Sequence, residues 1–147
     1  MMHHHLILRV VTKMLVAPII LFALYVQFHG DFSPGGGFQA GVIMAVGFIL
    51  YGIVYGMENV QAVLPAWLAH KMMALGVLIY AGTGVVALFL GYDFLDYGSF
   101  SPQHPSHGQH WGIFAVEFGV LVTVTGVMIS IYYAFASRRP AISDEEW

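Results

Sequence analysis

The sequence predicts an all-α integral membrane protein with four transmembrane helices. Of its 147 residues, 59% are hydrophobic and 9% are charged, and the mean hydropathy is +0.76. Such a chain is too apolar and too poorly charged to cover a water-facing surface. Long apolar runs occur four times, with lysine and arginine at only one side of them. We therefore expect residues 1–147 to form a single membrane domain.

Each predicted span is long enough to cross the bilayer, which requires about 20 apolar residues for a hydrocarbon core roughly 30 Å thick. The first is the weakest, because Arg9 and Lys13 lie inside it and must carry their charges back to the interface on long stems. Pro18 is a candidate kink in the same span. The predicted spans are residues 6–28, 38–57, 72–91 and 112–135, followed by a C-terminal tail at 136–147.

The basic residues predict that both termini are cytoplasmic. The loops 29–37 and 92–111 contain no lysine or arginine, so by the positive-inside rule they face outward. The formal charge of −3 does not indicate nucleic-acid binding, and the absence of cysteine excludes disulfides and thiolate chemistry. All basic residues fall on the other side: Arg9, Lys13, Lys71, Arg138 and Arg139.

A glycine-rich turn separates the first two spans. Proline fixes φ, and consecutive glycines accept dihedral angles closed to other residues, so this backbone can turn sharply and approach a neighbouring helix closely. Asp31 precedes the turn and is expected to cap the second span or to attract cations outside. The turn and the residues after it that form the motif are Pro34, Gly35, Gly36, Gly37, Phe38 and Gly41.

Small residues predict close helix contact in the second and fourth spans. In the fourth span they recur at i, i+4, i+7 and i+11 and therefore share one face. The pattern leaves two alternatives open, contact with a partner subunit and packing within this chain. The residues are Gly52 and Gly56 in the second span, and Gly119, Thr123, Gly126 and Ser130 in the fourth.

Glu117 is the acid inside a predicted span, and an intramembrane acid is a candidate for ion or proton handling. It lies about five residues into the fourth span, roughly 7 to 8 Å, so a structural acid hydrated from outside is the alternative. His110 is seven residues earlier on the same side of the helix, where it suits proton relay. On the cytoplasmic side, Lys13, His70 and Lys71 are topology anchors or part of a polar path.

The sequence predicts neither a cofactor nor a metal site. His104, His107 and His110 recur every third residue, but Pro105 and Gly108 are expected to interrupt any helix there. We therefore expect an exposed polar loop. A Ser/His/Asp set, a phosphate-binding loop and a paired carboxylate site are all absent from the sequence, so catalysis by this chain alone is not predicted.

Residues 29–41, His-Gly-Asp-Phe-Ser-Pro-Gly-Gly-Gly-Phe-Gln-Ala-Gly, resemble the motif of the B subunit of Mrp-type multisubunit cation/proton antiporters, the MnhB family. Residues 6–13 open the chain much as family members open, and Glu117 to Val120 is similar to the Glu-x-Gly-Val of the family's last helix. The resemblance covers about residues 6 to 136. The histidine-rich segment is not part of it.

The resemblance implies a subunit of a complex in the bacterial cytoplasmic membrane that exchanges Na⁺ for external H⁺, with A, C, D, E, F and G subunits and membrane lipids as partners. It implies that the glycine-turn motif and Glu117 matter for function. Three interpretations remain open at this stage: participation in the ion or proton path, a purely structural scaffold, and a B-like subunit of a membrane-bound hydrogenase-type complex.

Overall fold

The computed structural model describes residues 6–30 and 35–138. Within these ranges the chain is helical and has no strand, and four helices are long and apolar enough to cross a membrane. The predicted fold class is therefore confirmed. The elements are α1 (Leu6–Phe28), α2 (Gly37–Tyr55), α3 (Met57–Val63), α4 (Ala66–Phe89), a 3₁₀ turn (Tyr97–Phe100) and α5 (Pro105–Ala136).

Helices α1 and α2 form an antiparallel pair. A methyl group on Gly47 would lie 3.3 Å from Cγ1 of Ile20, and the Tyr55 hydroxyl donates a 2.7 Å hydrogen bond to the backbone oxygen of Arg9. Helix α1 has the bounds predicted from sequence and continues through Pro18. The glycine turn therefore joins two helices that lie side by side.

Helix α2 ends at Tyr55, two residues earlier than predicted, because the chain breaks at Gly56. Gly56 has φ of 95°, in the left-handed region that favours glycine, and it separates α2 from the short helix α3. Gly56 was predicted to lie inside the second span, and that position is wrong; its role in helix packing stays a prediction. Gly52 does lie on a packing face, since a methyl group there would lie 2.7 Å from the Tyr132 hydroxyl.

Helix α4 begins at Ala66, six residues before the predicted start at 72. Pro65 occupies the N-cap position in an extended conformation, with φ of −63° and ψ of 151°, so the helix begins directly after it. His70 and Lys71 consequently lie in the second turn of α4. The predicted start at 72, which left both residues outside the helix, is wrong.

Helix α5 begins at Pro105, seven residues before the predicted start at 112. Proline is tolerated in the first turn, where its missing N–H would have no partner inside the helix. Gly108 lies within α5, where a methyl group would come within 2.5 Å of the Tyr97 backbone oxygen. The prediction that Pro105 and Gly108 interrupt the helix and leave an exposed loop is therefore wrong.

Helices α4 and α5 pack closely through small residues. Methyl groups on Gly119 and Gly126 would lie 2.8 Å from the Gly76 oxygen and 2.7 Å from the Ala69 oxygen. Of the two alternatives for this face, packing within the chain is the one observed. Thr123 lies on the same face, with its hydroxyl bonded to the Gly119 oxygen at 2.9 Å, and the Ser130 hydroxyl is buried without a hydrogen-bond partner among the described residues.

The buried core lies where α2, α3, α4 and α5 meet. Tyr133 is 6% exposed, and its hydroxyl donates a 2.6 Å hydrogen bond to the backbone oxygen of Leu64 at the end of α3. Elsewhere large apolar side chains face outward, as expected in lipid or beneath partner subunits. The core residues are Ala45, Val60, Leu64, Ala69, Ile129 and Tyr133.

At one end of the molecule, the pair formed by α4 and α5 extends further than the pair formed by α1 and α2. We call this difference in level the step. Helix α2 begins beside Glu117, whereas α5 continues for twelve further residues to Pro105, about 18 Å. This part of α5 packs against the 3₁₀ turn, where Tyr97 lies against Gly112. Burial there raises the pKa of the Tyr97 phenol, with a smaller contribution from Tyr80.

Candidate functional site at the glycine turn

The carboxylate of Glu117 lies directly against the turn between α1 and α2. A methyl group on Gly30 would lie 2.5 Å from Oε2 of Glu117, and one on Gly36 would lie 3.0 Å from Oε1. The two carboxylate oxygens thus face glycines on both sides of the turn. This arrangement brings the predicted acid and the predicted glycine motif together in one site.

The backbones of α2 and α5 touch beside this carboxylate. A methyl group on Gly37 would collide with the backbone carbonyl of Glu117, and one on Gly41 would lie 2.9 Å from the Leu121 oxygen. One turn further on, the Thr125 hydroxyl donates to the backbone oxygens of Leu121 and Gly41, at 2.8 Å and 3.2 Å. The first turns of α2 therefore rest on α5 without intervening side chains.

Gly36 requires glycine for a second reason. Its φ of 120° lies in the region that side chains disfavour, and its backbone oxygen accepts the first hydrogen bond of α2, from Ala40 at 3.0 Å. Gly35 is also confined, because a methyl group there would lie 3.1 Å from the Val26 oxygen. The turn is therefore held on one side by α1 and on the other by Glu117.

Aromatic rings surround the site. Phe28 at the end of α1 stacks on Phe114 of α5 with 5.8 Å between ring centroids, and Phe114 lies 6.2 Å from Trp111 and 6.4 Å from Phe118. Glu117 is half-buried beside these rings. The carboxylate itself lies against the backbone of the turn.

Glu117 lies deeper in its helix than the sequence indicated. Because α5 begins at Pro105, Glu117 is twelve residues from the first residue of the helix and nineteen from the last at Ala136. The expected depth of about five residues followed from placing the start at 112. A position nearer the middle of the helix makes hydration from the helix end less direct.

His110 lies two helical turns from Glu117 on α5. It is exposed, and its ring centroid lies 6.0 Å from that of Trp111. His107, which precedes it by three residues on the same helix, lies 5.7 Å from the ring of His104. In the described part of the chain, no group of three histidine, cysteine or acidic residues is placed to hold a metal ion.

The predicted cytoplasmic candidates lie at the opposite end of the molecule. Lys13 is at the end of α2 marked by Tyr55, and the 19 residues of α2 span about 28 Å from Gly37. His70 Nδ1 is 2.6 Å from the Ala66 oxygen of its own helix, and the Lys71 ammonium lies 4.8 Å from the ring centre of Trp67. Lys13 therefore does not meet Glu117.

Two members of the predicted site, Asp31 and Pro34, lie outside the described residues. Phe38 is 61% exposed, so its ring points away from this chain's own core. An exposed aromatic ring next to the turn is available to lipid or to another subunit.

Three residues of this region were not among the predicted site residues, although two of them, His29 and Gly30, belong to the motif of residues 29–41. Gly30 meets the Glu117 carboxylate, and His29 beside it stacks on Tyr25 at 4.0 Å. Gln27 is 3% exposed, and neither polar atom of its amide has a hydrogen-bond partner among the described residues. Of these three residues, Gln27 could have been identified from the sequence, because an amide side chain is unusual inside an apolar span.

A carboxylate in this setting can accept hydrogen bonds from backbone N–H groups, take up a proton, or contribute oxygen ligands to a cation. All three suit a channel or carrier assembly. The fold and this site define a four-span helical membrane protein organised around one acid and one glycine turn.

Comparison with known families matches residues 7–130 to the family described as "Domain related to MnhB subunit of Na+/H+ antiporter". The chain belongs to this family. A protein of Staphylococcus haemolyticus (strain JCSC1435) named "Putative antiporter subunit mnhB2" is 35% identical over 141 residues, covering 95% of this chain and 99% of the relative. The protein of the same name from Staphylococcus aureus (strain Newman) is 32% identical over the same length and coverage.

Proposed function

We propose that this chain is a membrane subunit of a multisubunit Na⁺/H⁺ antiporter, and that Glu117 with the glycine turn forms a segment of its ion or proton path. The family and the relatives support the first part, and their presence in bacteria fits a multi-pass protein of the plasma membrane. The position of the Glu117 carboxylate against the turn supports the second.

The single observation that carries the path assignment is the contact between Glu117 and the turn. A charged group within a membrane span costs about 2.5 to 3.5 kcal/mol at the bilayer centre, so such groups usually serve a function or pair with another group. Here the acid lies where α1 ends and α2 begins, beside the backbone of Gly30, Gly36 and Gly37. A turn that places backbone groups beside an acid is a suitable place for an ion or proton to pass.

The partners that we infer are the A, C, D, E, F and G subunits implied by the resemblance. Outward-facing apolar side chains such as Phe38 and Leu78, which are 61% and 67% exposed, provide surfaces for such subunits or for lipid. The distribution of lysine and arginine supports an orientation with both termini in the cytoplasm. In this proposal the chain has no catalytic chemistry of its own, and transport is a property of the complex.

The proposal is tested by replacing Glu117 in the assembled complex. Glu117→Gln keeps the shape of the side chain and removes its charge, so we expect normal recovery of the complex with Na⁺-driven proton flux reduced about tenfold or more. Glu117→Asp retains the carboxylate and should preserve part of the flux. Unchanged flux in Glu117→Gln would rule out the path.

The second candidate is a scaffold that joins neighbouring subunits, which the exposed apolar faces favour. Gly36→Leu places a side chain at φ of 120° and against the Glu117 carboxylate, so assembly should fail under either function. A scaffold predicts that Glu117→Gln changes neither complex recovery nor flux. Measuring both quantities in both variants distinguishes the two functions.

A further inference from the structure

A groove opens at the end of the molecule opposite the glycine turn. It has a volume of about 530 Å³ and lies between one face of α1 and the end of α2. The α1 residues recur with the spacing of a single helix face, and both cationic and apolar side chains belong to it. The lining residues are Leu6, Arg9, Val10, Lys13, Met14 and Tyr55.

Two cations line this groove one helical turn apart. The Arg9 guanidinium lies 4.9 Å from the ring centre of Tyr55, whose hydroxyl is bonded to the Arg9 backbone, so the arginine is held in place. Lys13 is exposed beside it. Among the described residues, no carboxylate forms an ion pair with either side chain. The groove therefore has positive charge available for an anion.

The groove also has an apolar side that runs into the membrane span. Leu6 and Met14 are 74% and 69% exposed, and Val10 lies between them on α1. Side chains on a helix tilt towards its N-terminus, so Arg9 and Lys13 reach towards the membrane surface while Met14 stays at greater depth. Charge at the surface and apolar contact below it match the two parts of a phospholipid.

We propose that this groove binds an anionic phospholipid, with the headgroup phosphate between Arg9 and Lys13 and an acyl chain along Val10 and Met14. Arginine binds phosphate through a planar set of donors, and lysine adds a second charge. The site does not depend on the function of Glu117, which lies near the other end of α2.

The proposal is tested on the full-length chain by native mass spectrometry in detergent. The probes are phosphatidylglycerol and phosphatidylcholine with identical acyl chains. Each basic residue near an anionic surface contributes about fivefold in affinity, so two predict a preference of about 25-fold for phosphatidylglycerol. The double variant Arg9→Gln/Lys13→Gln should lose this preference and bind both lipids weakly.

Lys71→Gln is the matched control. Lys71 also stacks on an aromatic ring, that of Trp67, but it lies on α4 and does not line the groove. We expect this variant to keep the full lipid preference. Far-UV circular dichroism of all variants checks that the helices remain formed.

Three results would overturn the proposal. The first is equal affinity of the unmodified chain for the two lipids. The second is an unchanged preference in a folded double variant. The third is an equal loss in Lys71→Gln, which would mean that basic residues attract anionic lipid regardless of the groove. If the double variant does not fold, Lys13→Gln alone should reduce the preference about fivefold, and no reduction would contradict the site.

Discussion

Glu117 of α5 meets Gly30 at the end of α1, where a methyl group on the glycine would lie 2.5 Å from Oε2 of the carboxylate. The two residues are 87 positions apart in the chain. A residue larger than glycine at position 30 would therefore have to displace the acid. This contact makes it possible to move the carboxylate without changing Glu117 itself.

We expect Gly30→Ala to reduce Na⁺-driven proton flux of the assembled complex while the complex is still recovered. The added methyl group contacts the far end of a flexible side chain, which can turn away at small cost to folding. Flux and complex recovery should be measured together with those of Glu117→Gln. Flux equal to that of the unmodified complex would indicate that the position of the carboxylate is unimportant.

Gly37→Ala should destabilise the chain by about 1 to 3 kcal/mol, because the methyl group collides with a backbone carbonyl that cannot turn away. Unfolding of the full-length chain in detergent measures this loss. Gly82→Ala is the control, since nothing lies within 4 Å of a methyl group there and alanine favours the helix. Similar losses in both variants would contradict close backbone contact at Gly37.

Tyr133→Phe should reduce the free energy of unfolding by about 1 to 3 kcal/mol. The variant removes the 2.6 Å hydrogen bond to Leu64 and leaves the end of α3 without its side-chain donor. Tyr132→Phe removes a hydroxyl for which the described residues supply no hydrogen-bond partner, so its effect should be smaller. The bond would be shown unimportant if the two variants unfolded alike.

In the Tyr97→Phe variant, the free energy of unfolding should depend less on pH in the alkaline range. The folded state raises the pKa of Tyr97, so the unfolded chain loses this proton first, and stability falls as pH rises above about 10. Phenylalanine has no proton to lose, and the variant should match the unmodified chain at pH 7. Melting temperatures between pH 7 and 11 measure the difference, with Tyr92→Phe, at a loop position 43% exposed, as the control. If the melting temperatures of Tyr97→Phe and the unmodified chain changed with pH in the same way, the prediction would be contradicted.

The sequence predicted the helices well where apolar length decides the structure. Residues 6–28 were predicted as a span and form α1 with the same bounds. The errors occur at proline and glycine. Pro105 was expected to interrupt a helix but occupies the first position of one, the helix after Pro65 begins six residues before its predicted start, and Gly56 was placed inside a helix that it ends. The helix boundaries at these residues depend on contacts with residues elsewhere in the chain, such as Tyr97. The spacing of residues along the sequence does not reveal these contacts.

The sequence predicted the parts of the site separately, and only the structure shows that they lie together. Glu117 and the glycine turn were each recognised, one as an intramembrane acid and the other as a special backbone segment. Periodicity describes which residues share a face of one helix, so it could not show that α1 and α5 place Gly30 against Glu117. The same limit left the partner of the Gly119 face undecided, until Gly76 of α4 was found against it.

The step between the helix pairs has a consequence for the surrounding bilayer. Beyond Glu117, α5 still presents apolar residues over 111–116, about 9 Å, whereas α2 begins only beside Glu117 and does not extend to this level. Lipid cannot match both heights without thinning on one flank, and such hydrophobic mismatch costs a fraction of a kcal/mol for each ångström. A neighbouring helix that packs against this part of α5 would relieve this penalty.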